Sequence, residues 1–149
     1  MMSFLDILFL VLFSFFVAKA EINIEGKHGW AKNLPTWRKK NRFTKLILGN
    51  YPLTGYHFWM FSSFLFLLHF PFFLNSDWNI SSELRILAFF LFFALMEDFF
   101  WFIFNPFFGL KKFNKKNIPW HKEWIGVIPK SYLGLFLGGL FFLLLSFLF

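Results

Sequence analysis

Glu21, Glu25 and His28 follow a long apolar run at intervals of four and three. If the helix of that run continues to Gly29, its natural stop, the three side chains share one face. Glu-x-x-His is the unit that carboxylate-bridged di-metal bundles use twice; here it occurs once. Carboxylate and imidazole donors suit a divalent Fe, Mn or Zn ion. Glu21, Glu25 and His28 are therefore candidate metal ligands, and His121 is a fourth.

Glu97 and Asp98 lie side by side inside another apolar run. Counted back from Asn105, Glu97 sits about 12 Å along a helix, and Asp98 one residue shallower. Carboxylates at the centre of a bilayer cost about 2.5–3.5 kcal/mol each on insertion scales, and less nearer the interface. Asp98, Trp101 and Asn105 share a helical face, while Glu97 points about 100° away. His57, five residues past Pro52, enters to about 8 Å, close to the depth of Asp98. That places Glu97, Asp98 and His57 as candidate acid–base residues, with Asp98 and His57 within reach of each other. Trp101, Asn105, Trp120 and Glu123 complete the candidate site. Trp120 and Trp124 would share a face if Ile118–Trp124 were helical, whereas His121 and Glu123 would diverge. The competing reading of the acids is that they pair with loop Lys or Arg, Lys19 above all, and only fix helix packing. His69 is expected to be separate from the site, as a structural or interfacial histidine.

The elements that must carry these residues follow from composition. Of 149 residues, 58% are hydrophobic, 29 are Phe and only 15% are charged. So little polar surface cannot cover a soluble domain, and disorder needs the opposite bias. There is no cysteine, which excludes disulfides, thiol catalysis and thiolate metal sites. The abundance of Phe, Asn, Ile and Lys is consistent with A/T-rich codons, and in a bilayer Phe partitions as well as Leu.

A bilayer core of about 30 Å needs roughly 20 apolar residues as a helix. Four segments qualify, about 3–20, 53–74, 86–104 and 132–149. The expected fold is all-α: one membrane domain over 1–149, an integral four-helix bundle with loops 21–52 and 105–131. Ala18-Lys19-Ala20 has the small residues of a signal-peptide cleavage site. However, Asp6 stands where a basic n-region belongs, and the segment that follows is basic. Every Lys and Arg except Arg85 falls in or beside the two long loops. The positive-inside rule then places those loops in the cytoplasm and both termini on the other side, in the cell membrane. The basic half nevertheless holds five of the eight acids (Glu21, Glu25, Glu97, Asp98, Glu123) and three of the four histidines. Orientation does not explain those.

Within the first loop, Asn33-Leu34-Pro35-Thr36 reads as the start of an imperfect amphipathic helix that stops at Gly49. Its bases could grip anionic headgroups or simply set topology. Nucleic acid is not an expected partner, since no binding motif is present. Gly134-x-x-x-Gly138, followed by Gly139, offers a close-packing face for a neighbouring helix or for homo-oligomerisation. No P-loop, dinucleotide fingerprint, nucleophile elbow or His-Glu-x-x-His is present.

The runs Glu25–Ala31, Leu34–Trp37, Glu97–Phe102 with Asn105-Pro106, and Trp120-His121-x-x-Trp124 are similar to small uncharacterised prokaryotic multi-pass membrane proteins. That resemblance implies a fold and no activity. Glu97-Asp98-Phe99-Phe100 also resembles the acidic-Phe motif of membrane lycopene cyclase subunits, although the Trp-x-Phe elements that accompany it there are not evident. The expected function is a polar Glu/Asp/His/Trp pocket at the cytoplasmic side that binds a divalent metal or acts on a lipid-like substrate. The alternatives are a non-catalytic lipid-binding or assembly subunit, carotenoid cyclisation, and proton-coupled transport in an oligomer.

Overall fold

The fold is that of a computed structural model, which describes residues 3–42, 44, 48, 51–74 and 76–149. Five helices stand among the described residues: α1 (Phe4–Glu25), α2 (Gly55–Leu68), α3 (Phe70–Phe73), α4 (Ile80–Phe104) and α5 (Lys130–Leu145). Two antiparallel ribbons of two-residue strands accompany them. In one, β1 (Arg38–Lys39) pairs with β2 (Leu53–Thr54); in the other, β3 (Trp124–Ile125) pairs with β4 (Ile128–Pro129). The protein is mostly helical, and α1 and α4 are long and apolar enough to cross a membrane. α2 and α5 are apolar but shorter.

The ends of the helices follow local chemistry. Ser3 and Asp6 exchange backbone-to-side-chain hydrogen bonds at 2.7 and 3.1 Å, a capping box that starts α1. Asp6 is thus a cap rather than an intrusion into a span. Gly26 ends α1 at φ +64°, where a side chain would be strained, and its N–H donates to Ile22 O. The helix stops short of Gly29, so His28 lies beyond it. Pro71, which has no N–H to donate, separates α2 from α3 and divides the expected 53–74 span. Asn79 and Ser82 cap α4 six residues before the expected start of its span, and Pro106 follows its end. Pro129 opens α5.

The loops carry more structure than linkers. The helix expected from Pro35 begins later, because Arg38–Lys39 is paired as β1. Asn41 and Thr44 then exchange 2.8 Å backbone-to-side-chain hydrogen bonds, the reciprocal pattern of a helix start. Most of the expected helix past that point, to Gly49, lies outside the described residues. Ile118–Trp124 is not helical, since Trp124 enters a ribbon whose turn opens with Gly126 at φ +61°.

α4 is the central helix, with α1 on one side and α5 on another. Phe93 is fully buried where α1, α2 and α4 meet. Its ring lies 4.8 Å from Phe13 and 5.4 Å from Phe64, which itself meets Phe13 edge-on at 83°. Tilted and edge-on rings are the favoured aromatic geometry. Part of the Phe excess is therefore specific packing, beyond codon drift and partitioning. Other Phe side chains, among them Phe4, Phe16, Phe66 and Phe141, are exposed on the outer surface. A Cβ on Gly139 would come within 2.7 Å of the Phe92 ring, and one on Gly138 within 3.1 Å of Leu91, whereas Gly134 faces open space. Two of the three glycines thus let α5 approach α4 within the chain.

Candidate functional site

A cavity of about 920 Å³ opens between the ends of α1, α2, α4 and α5 and the segment 120–123. Eleven residues singled out from the sequence are placed as follows. Glu21, Glu25, His57, Glu97, Asp98, Trp101, Trp120, His121 and Glu123 line it; His28 does not. Asn105 is also outside it, as described below.

The first group forms where α1 faces α2. Glu21 and Glu25 are one turn apart on α1, and both are buried. His57 Nε2 lies 3.6 Å from Glu21 Oε1 and 3.7 Å from Glu25 Oε1. One donor atom from each of the three residues falls within 4.8 Å of the others. His57 therefore faces the carboxylates of α1 rather than Asp98, and occupies the position expected for His28. The physical reason is the stop at Gly26: without another helical turn, His28 cannot share the face of Glu21 and Glu25. Glu97 reaches the Glu21 carboxyl from α4. Glu97 is only 2% exposed, and Oε1 of Glu97 and Oε1 of Glu21 have no hydrogen-bond partner among the described residues. Neither Glu97 nor Asp98 pairs with Lys19 or with another Lys or Arg among those residues.

Supporting contacts hold this group. Thr54 Oγ1 lies 2.7 Å from His57 Nδ1 and also accepts the His57 N–H, so the ring is anchored with Nε2 inward. Trp30 stacks on the His57 ring at 4.7 Å and donates its indole N–H to Pro52 O. Trp30 and Ala31 have φ of +57° and +50°, a left-handed pair that costs about 1–3 kcal/mol per residue. Two partners hold it: the Glu25 carboxylate accepts the Ala31 N–H, and Arg38 donates to Ala31 O, Lys32 O and Leu34 O. Arg38 is thus a loop staple, occupied by backbone carbonyls.

The second group lies on the other side of α4. His121 Nε2 is 2.9 Å from Asp98 Oδ2, and the Tyr132 hydroxyl donates to the same oxygen at 2.5 Å. His121 Nδ1 lies 3.1 Å from Ser131 Oγ. His121, expected beside Glu25 and His28, belongs to Asp98 instead. It is delivered by an aromatic anchor: Ile118 is fully buried, Trp120 stacks on Phe102 at 5.8 Å, and Trp124 donates to His121 O. Gly29 makes room for that anchor, since a Cβ there would lie 2.8 Å from Trp120 and 3.1 Å from Trp101.

The remaining candidates have structural partners. Buried Asn105 donates to Gly26 O at 2.8 Å and accepts from the Phe107 N–H, which ties the end of α1 to the end of α4. Glu123 forms an exposed 2.8 Å ion pair with Lys130, which holds its carboxyl below the usual range. His69 lies apart and pairs with Glu83 at 3.2 Å. Sequence spacing did not point to Tyr132, Ser131 or Thr54 as members of this site. Ser131 and Tyr132 come from the start of α5 and Thr54 from the cap of α2, and only the folded chain brings them together.

No protein-family model, no curated protein and no solved structure matches the chain.

Proposed function

We propose that the chain is a multi-pass integral membrane protein whose helices enclose a divalent-metal site near the cytoplasmic end of a lipid-accessible cavity. Glu21, Glu25 and His57 are its ligands, and Glu97 is the carboxylate beside it. The observation that carries the reading is that three donors converge within 4.8 Å while a buried Glu21 oxygen lacks a protein partner. A buried carboxylate oxygen left without a hydrogen bond beside other carboxylates calls for a cation or a proton. Two carboxylates and an imidazole suit Zn, Mn or Fe, and an open fourth position would face the cavity. A metal there could polarise a bound carbonyl or phosphoryl oxygen.

The membrane reading rests on the length and apolarity of α1 and α4 and on the band of exposed Phe and Leu around the helices. α2 with α3, and α5 with the turn after it, are the two shorter spans of a four-span bundle. The basic loops lie in the cytoplasm and both termini outside.

The test is spectroscopic. Purified protein loaded with Co²⁺ should give ligand-field bands of an oxygen–nitrogen site, and Zn²⁺ should displace them. Glu21→Gln and His57→Ala should each abolish those bands while the helical circular dichroism is kept. Bands unchanged in both variants would overturn the ligand assignment.

A further inference from the structure

Asp98, His121 and Ser131 form a hydrogen-bonded chain along one wall of the cavity, and it is separate from the carboxylate group of α1. Asp98 Oδ2 to His121 Nε2 is 2.9 Å, and His121 Nδ1 to Ser131 Oγ is 3.1 Å. An ionised Asp98 can only accept. The proton of a neutral His121 therefore sits on Nε2, and Nδ1 is left as the acceptor for the Ser131 hydroxyl. One ring nitrogen is thus held by a carboxylate and the other is free to take the serine proton, the division of roles in a serine-histidine-aspartate triad with the two nitrogens exchanged. Ser131 is exposed while His121 is mostly covered, so the hydroxyl is the end of the chain that a ligand can reach.

Two surroundings fit an acyl substrate. Ser131 and Tyr132 are the second and third residues of α5, whose start has no capping side chain. Their N–H groups point out of the first turn, where a developing oxyanion would be stabilised. The cavity beyond is walled by Phe61, Leu65, Phe90, Ala94 and Leu135, a lining that suits an alkyl chain.

We propose that Ser131 is a nucleophile for acyl transfer from a long-chain ester to water, with His121 as general base and Asp98 as its positioning residue. Ser131 Oγ bonds to the acyl carbon, and its proton passes to His121 Nδ1. The ester C–O bond breaks, and the leaving alcohol takes that proton. Water then gives a proton to Nδ1, attacks the acyl-serine, and releases the carboxylic acid with Ser131 reprotonated. No step uses the carboxylates of α1, so the inference does not depend on the metal reading.

The experiment uses a long-alkyl fluorophosphonate on the full chain in native membranes. Ser131 Oγ would displace fluoride, leaving a phosphonylated peptide that mass spectrometry locates. Wild type should be labelled at Ser131, and Ser131→Ala should not be labelled. His121→Ala should slow labelling by about 100-fold or more. Asp98→Asn should lower the maximal labelling rate while the half-saturating probe concentration stays unchanged, a split that a merely structural role would not produce. Wild-type labelling should be the same with added Zn²⁺ and after treatment with a chelator, which separates failure of this proposal from failure of the metal site. Wild-type labelling no greater than in Ser131→Ala would overturn the proposal, and so would full labelling speed in His121→Ala.

Discussion

Glu97 and Asp98 are adjacent on α4, yet they serve different sides of it. Glu97 reaches the buried Glu21 carboxyl of α1, whereas Asp98 accepts from His121 and Tyr132 on the side of α5. One helical step of about 100° separates the two directions. The pair is thus the divider between two polar groups that share one cavity.

Substitutions at the two positions should therefore separate. Asp98→Asn weakens the acceptor of two donors, and should destabilise the fold by about 1–3 kcal/mol and loosen the segment 118–124. Hydrogen exchange should show faster exchange there. Glu97→Gln should leave exchange in that segment unchanged. Equal effects of the two would contradict the division.

The glycines should rank by what a Cβ would meet. Gly29→Ala drives into Trp120, and Gly139→Ala into the Phe92 ring; overpacking of this kind costs about 1–3 kcal/mol. Gly134→Ala meets nothing and should be neutral or slightly stabilising, because alanine favours the helix. Thermal unfolding in detergent should give a lowered midpoint for the first two only.

Glu123 should titrate below the ordinary carboxylate range, and Lys130→Ala should return it there, as read by NMR of the side-chain carboxyl. Lys130 holds that value down by hydrogen bond and charge. A lowered folded value means that the stabilisation is present above the unfolded value and is lost as the pH falls through the folded one. Both side chains are more than half exposed, so added salt should erase the effect and Glu123→Gln should leave the unfolding midpoint unchanged.

The chain has no cysteine, so single-cysteine variants report topology cleanly. Lys115→Cys should react with an impermeant maleimide only from the cytoplasmic side, and Asp77→Cys only from the outside. The reverse pattern would contradict the orientation drawn from Lys and Arg.

Helix existence was legible because apolar runs of this length leave few alternatives. Their ends were less so: Asp6 reads as an intrusion until Ser3 is seen to cap with it, and Pro71 divides a run that hydropathy leaves whole. Within the site, residue types were readable and partners were not. Glu21 and Glu25 share a face by period alone, but their third member comes from another helix because Gly26 turns the chain before His28. His121 goes to Asp98 because Trp120 and Ile118 anchor its loop, a tertiary fact with no period in the sequence. Ser131 gave no signal at all, since a lone serine at a helix start is ordinary until a histidine is placed against it.

Metal content measured by elemental analysis after gel filtration tests the central claim most directly. The carboxylate–imidazole site predicts close to one divalent metal per wild-type chain, and loss of it in both Glu21→Gln and His57→Ala with the fold retained. A metal content that is the same in wild type and in both variants, whether one per chain or none after loading, would contradict it.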